Sequence, residues 1–143
     1  MSNLLVAVGL CLANLMVKLV IVGLLDVLGA NLSQRTTVVK FMRNIVFPIV
    51  DESVRYVAFT CSPFAALYYT ALMIYLELFA IVVNRKFSLL IVVLSAIVAS
   101  FIHCLGFVLI AIYANVFGLL AAIGTHAICN EFTSGLRHLV EQN

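Results

Sequence analysis

The chain has 143 residues, 65% of them apolar and only 10% charged, with a mean hydropathy of +1.22. Soluble domains run at about 45–50% apolar and about 25% charged, so this composition excludes a soluble domain and a disordered chain. Eight basic against six acidic residues leave a net charge of +2, too little to hold a nucleic acid. The expectation is one all-α domain over residues 1–143, a polytopic membrane helix bundle with room for four or five spans of about 20 residues.

The first apolar run, Leu4 to Leu28, is interrupted by Asn14 and Lys18. It has no basic n-region and is too long for a signal core, so it reads as a retained span. A polar stretch from Gly29 to Thr37 follows, with Arg35, Lys40 and Arg43 before or at the next entry. The second run, Asn44 to Thr60, holds Pro48, Asp51, Glu52 and Arg55. Cys61-Ser62-Pro63 is a turn, because the residue before proline is pushed out of helical geometry and proline suits a first helical turn. The third run is Phe64 to Val83, with Glu77 inside it, and Asn84-Arg85-Lys86 closes it. The fourth is Phe87 to Ile112, with His103, and Tyr113-Ala114-Asn115 is its turn. The fifth is Val116 to Ser134, with His126, Asn130 and Glu131, and Gly135 to Asn143 is a tail. Cys11, Cys61, Cys104 and Cys129 lie far apart in apolar runs and read as small hydrophobes, not as a disulfide framework.

Five spans segregate the loop charge. Arg35, Lys40 and Arg43, then Arg85 and Lys86, then Arg137 fall on one side, while the opposite turns carry no Lys or Arg. Positive loops stay cytoplasmic, so the N-terminus is expected outside and the C-terminus inside, in a plasma membrane or an endomembrane. Four spans would break this segregation.

Ionisable groups inside a span cost about 2.5–3.5 kcal/mol each and are usually paired or functional. Lys18, Asp51, Glu52, Arg55, Glu77, His103, His126 and Glu131 are many for a chain this short. At about 1.5 Å per residue, Glu52 lies about 13 Å below the outer turn, His103 about 15 Å and His126 about 16 Å. Three helices therefore bring an acid and two imidazoles to one level, with Asn14 near it and Asn130 one turn from His126. A carboxylate there can activate water as general base, and imidazoles with an amide can stabilise an oxyanion. Glu52, His103 and His126 could equally hold a zinc ion. A buried polar network that fixes helix packing, or an ion or proton path, uses the same residues.

Asp51-Glu52-Ser53-Val54-Arg55-Tyr56 reads as acid-Glu-x-x-basic-aromatic, His103 stands alone on a later helix with Gly106 three residues on, and His126-Ala127-Ile128-Cys129-Asn130 reads as HxxxN. This ordered set resembles the superfamily of CAAX prenyl proteases, CPBP proteins, PrsW proteases and the gamma-secretase scaffold subunit. The two-residue gap between Glu52 and Arg55 is closer to the PrsW and scaffold pattern than to the CAAX-type EExxxR. The position four before His103 is Ala99, where the CAAX type has Phe. The resemblance covers Val46 to Phe132 and implies an intramembrane endopeptidase, with Glu52, His103, His126 and Asn130 as catalytic residues. It equally allows a non-catalytic scaffold with the same polar cleft.

Beside that set, Arg55 is expected to hold the carboxylates and Asp51 to cap another donor. Lys18 and Glu77 are expected to pair in the inner half, Glu131 to reach the headgroups, and Tyr69 to pack. Gly118 and Gly124 are expected to admit close helix approach. The expected partners are lipids, a transmembrane or lipid-anchored protein substrate and a further copy or membrane subunit, with no nucleic acid. A relay of protons or ions through Glu52, Glu77 and the histidines is the third reading.

Overall fold

A computed structural model describes residues 2–27, 32–83 and 89–141. Six α-helices follow one another: α1 Asn3–Val27, α2 Leu32–Phe41, α3 Phe47–Cys61, α4 Pro63–Val83, α5 Leu89–Tyr113 and α6 Val116–Glu141. There is no strand among the described residues, and five of the helices have 15 residues or more. The all-α bundle expected from composition is the fold.

The turns form where the sequence provides caps. Ser62 is extended, and its Oγ accepts from the Phe64 amide at 3.2 Å, capping α4 with Pro63 in the first turn. Asn115 Oδ1 accepts from the amides of Phe117 and Gly118 at 3.0 and 3.2 Å, capping α6. Ala114 takes the left-handed conformation between α5 and α6, with φ of 48°.

The second expected span is not a uniform helix. Between α2 and α3 the chain widens into a π-helical turn, Met42–Val46. Pro48 explains it: proline has no amide hydrogen, and its ring clashes with the carbonyl four residues back. The Phe47 amide bonds to the Met42 carbonyl, five residues back, instead of to Arg43. The polar stretch before it is helical from Leu32, and the tail expected after Ser134 continues in α6. The loop 84–88, with Arg85 and Lys86, lies outside the described residues, as do the side chains of Arg35 and Arg137. The charge segregation is therefore a matter of sequence alone.

α3 is the axis of the bundle. It packs against α1, α4, α5 and α6, while α1, α4, α5 and α6 contact one another in that chain order around it. Helix interfaces are built from small residues, with Ala7, Ala58, Ala65, Ala66 and Ala122 fully buried. Large apolar residues face outward instead: Leu5, Leu19, Phe117 and Ile128 are all more than 60% exposed. Buried Asn14, Asp51, Glu52, Arg55, His103 and His126 occupy the inside. Polar groups within and leucines without suit a lipid solvent, not water. Three helices are long and apolar enough to cross a membrane, over Asn3–Leu25, Pro63–Ala80 and Val93–Tyr113, and a shorter apolar helix covers Val116–Glu131. Against the five spans expected, three helices among the described residues qualify by their own length and composition.

Candidate functional site

The buried face of α3 carries Pro48, Asp51, Glu52, Arg55 and Ala58, at helical spacings of three and four. Successive acids at 51 and 52 diverge by about 100°, so they serve different neighbours.

Asp51 faces α1 and α4. Lys18 Nζ lies 2.6 Å from Asp51 Oδ1, and Asn14 Nδ2 donates to the same oxygen at 2.7 Å. Asn14 also donates to Tyr69 Oη at 2.7 Å, and Tyr69 donates to the Asp51 carbonyl at 3.4 Å. Asn14 and Lys18 are one turn apart on the stripe of α1 that includes buried Ala7 and Cys11. The expected Lys18–Glu77 pair is therefore not formed. Lys18 takes Asp51, because the face of α1 that docks on α3 presents both polar residues to it. Asp51 does cap other donors, as expected, and Asn14 does join the polar layer. Tyr69 packs in the core, as expected, and is hydrogen-bonded there.

Glu52 faces α5 and α6. Its Oε1 lies 2.8 Å from His126 Nδ1, and its Oε2 is paired with Arg55 Nη1 in an i, i+3 ion pair. Arg55 also donates from Nε to Thr70 Oγ1 at 3.1 Å, and its Nη2 lies 2.7 Å from His103 Nδ1. It holds one carboxylate, Glu52, and not Asp51. The rings of His103 and His126 meet edge to face, with centroids 5.4 Å apart. Glu52, Arg55 and His103 are completely buried and His126 nearly so. The common depth read from the sequence is thus a direct meeting of three helices.

Glycine makes the meeting sterically possible. A Cβ at Gly106 on α5 would sit 2.8 Å from Glu52 Oε2 and against Arg55 Nη1. At Gly118 it would come 2.8 Å from the Leu109 carbonyl, so α5 and α6 approach closely there. Gly124 has nothing within 4 Å, and the packing role expected of it is not what it does.

Asn130 is placed differently from expectation. Its Nδ2 donates to the Arg43 carbonyl at 3.1 Å, below the cluster, where the π-turn withholds the amide that a regular helix would supply. The neighbouring Glu131 is hydrogen-bonded to Asn44 Nδ2 rather than extended to headgroups. Both contacts tie α6 to the π-turn.

Two contributors escaped the motif reading. Thr70 and Glu77 lie seven residues apart, on one face of α4. Thr70 binds Arg55, and Glu77 Oε1 lies 3.2 Å from His103 Nε2. That heptad spacing opposite the histidine helix is the signal that could have found them.

Glu52, His103 and His126 present ligand atoms within 4.8 Å of one another, within reach of a metal ion. Arg55, however, already binds two of the three. A guanidinium stays protonated in proteins, so a zinc ion at this point would lie against a fixed positive charge. As folded, the residues fit the guanidinium and do not fit zinc. The cluster can do acid–base chemistry at a buried carboxylate–imidazole pair, or lock four helices together.

Comparison with protein families, curated proteins and solved structures finds no match.

Proposed function

We propose that this chain is an intramembrane endopeptidase-like protein, its five long helices crossing the bilayer with the N-terminus outside. One observation carries the reading: Glu52 and His126, on separate helices, are in hydrogen-bond contact at 2.8 Å inside the bundle. The order of motifs, similar to that of the CPBP and PrsW superfamily, points the same way. Glu52, with His126 beside it, takes a proton from water, and the hydroxyl adds to the scissile carbonyl carbon. Arg55 supplies positive charge for the oxyanion. The C–N bond then breaks, and the proton passes to the leaving amine. The substrate is a transmembrane or lipid-anchored protein that enters from the lipid.

A second reading, a non-catalytic scaffold, is favoured by the full burial of Glu52, Arg55 and His103 and by their bonds to one another. A proton relay is disfavoured, because Arg55 stands between His103 and Glu52 and does not exchange protons.

The test is Glu52→Gln in the full chain, assayed in vesicles for cleavage of a single-span fluorogenic peptide and for co-purifying partners. Loss of a general base lowers the rate by about 10²–10⁴. Cleavage undiminished in Glu52→Gln overturns Glu52 as the base. Absence of cleavage by the wild type, with partner assembly lost in the variant, moves the function to the scaffold.

A further inference from the structure

The donor and acceptor roles around Arg55 fix where the ring protons sit. A guanidinium only donates, so His103 Nδ1, 2.7 Å from Arg55 Nη2, must accept. A neutral imidazole then carries its proton on Nε2, the nitrogen that lies 3.2 Å from Glu77 Oε1. Across the site the roles reverse. Glu52 Oε1 accepts, so the adjacent His126 Nδ1 carries a proton, and the lone pair of a neutral ring lies on Nε2. The two rings, edge to face, therefore hold opposite tautomers. His103 has one nitrogen in contact with Arg55 and the other 3.2 Å from Glu77 Oε1, close but outside hydrogen-bond geometry, while the Nδ1 of His126 is engaged by Glu52.

Glu77 is the outer end of this chain of contacts. Its side chain is 39% exposed against 1% for His103, so it reaches the sealed cluster from the partly open face of α4. It belongs to no motif, and the pairing with Lys18 expected of it is not formed.

We infer that Glu77 is a positioning residue of the site: acting through His103, it sets the Arg55 guanidinium against Glu52 and so the alignment of the Glu52–His126 pair. The inference rests on the hydrolytic reading for its consequence, and on geometry alone for its arrangement. Carboxylates that orient a metal-bound imidazole from behind are worth about 10–100-fold in activity, and a loss of the same order is expected here.

The experiment uses the full chain in lipid nanodiscs, with ¹⁵N-labelled histidine, as wild type, Glu77→Gln and Glu77→Leu. The side-chain nitrogen spectrum reports each tautomer directly, and the same samples are assayed on the single-span fluorogenic peptide. The expected wild-type spectrum has His103 protonated on Nε2 and His126 on Nδ1. In Glu77→Leu the His103 Nε2–H resonance moves, and kcat falls about 10–100-fold with KM unchanged. Glu77→Gln keeps an acceptor oxygen and restores most of kcat, with a smaller shift of the same resonance. His103 protonated on Nδ1 in the wild type overturns the inference. So does a His103 resonance unmoved in both variants, or a moved resonance with kcat unchanged in Glu77→Leu. Should the wild type show no cleavage, the hydrolytic reading fails by itself; a His103 resonance displaced in Glu77→Leu then still establishes the Glu77–His103–Arg55 arrangement.

Discussion

At Gly106 a missing side chain lets Arg55 and Glu52 lie against α5. An added methyl would press on Glu52 Oε2 at 2.8 Å and Oε1 at 3.1 Å. Both oxygens are held, by Arg55 and His126, so neither can swing aside freely. Gly106→Ala is expected to cost about 1–3 kcal/mol, in the range of overpacked cores. Gly124→Ala meets nothing within 4 Å and gains helix propensity, so it should stay within about 1 kcal/mol of wild type, on the stabilising side. Thermal unfolding of the two variants in one detergent checks the contrast. Equal melting temperatures would show that α5 has room at Gly106. The residue scale also shows where sequence reading stops. Depth along an axis follows from counting residues, so Glu52, His103 and His126 could be brought to one level in advance. Which neighbour a side chain meets depends on the rotation and adjacency of helices, which counting does not provide. Lys18 and Glu77 were matched by depth, yet α1 docks on α3 with Lys18 facing Asp51.

At the scale of the element, the π-turn before α3 is legible only in hindsight, from Pro48 inside an apolar run. A proline there could have ended the helix or kinked it, and the sequence does not say which. The chain instead widens and leaves the Arg43 carbonyl for Asn130. Asn130 thereby changes from a proposed oxyanion donor to the latch between α6 and the π-turn. Asn130→Ala should lower stability by about 0.5–1.5 kcal/mol, one net hydrogen bond. Cleavage per folded molecule should be retained. Pro48→Ala provides a new amide hydrogen for the carbonyls of this turn, so in that background Asn130→Ala should cost less. A double-mutant cycle measures the difference, expected at 0.5 kcal/mol or more, about the threshold for residues that share a partner. Additive losses would show that the two positions are independent. A rate loss of about 10² or more in Asn130→Ala, with stability unchanged, would return it to the catalytic set.

For the whole molecule, the question is how many helices cross. α3 alone has 15 residues and buries Asp51, Glu52 and Arg55, so it does not qualify as a span by length and composition. On insertion scales its three charged groups would cost about 2.5–3.5 kcal/mol each if they faced lipid. They face α1, α4, α5 and α6 instead, so a crossing α3 would be shielded from lipid by the rest of the bundle. Geometry gives an independent reason to count it. From Ser62 back to Asn44 is about 27 Å along the axis, and from Asn115 forward to Glu131 is about 24 Å. Those two far ends meet, since Asn44 is hydrogen-bonded to Glu131. α3 with its π-turn is therefore as deep as α6, and each approaches the hydrocarbon thickness of about 30 Å. α4 and α5 lie between the Ser62 and Asn115 turns and are both long and apolar enough to cross. These two turns should therefore share one side of the membrane, and α2 should lie on the other. Exposed Cys61 is a native probe beside Ser62. Chains that keep a single cysteine, at Cys61, Thr37→Cys or Asn115→Cys, can be treated with a membrane-impermeant maleimide in sealed, oriented vesicles. Cys61 and position 115 should label from one side, and position 37 only after the vesicles are opened or inverted. Labelling of 37 and 115 from the same side would mean that α3 does not cross, and the charge-based orientation would fall with it.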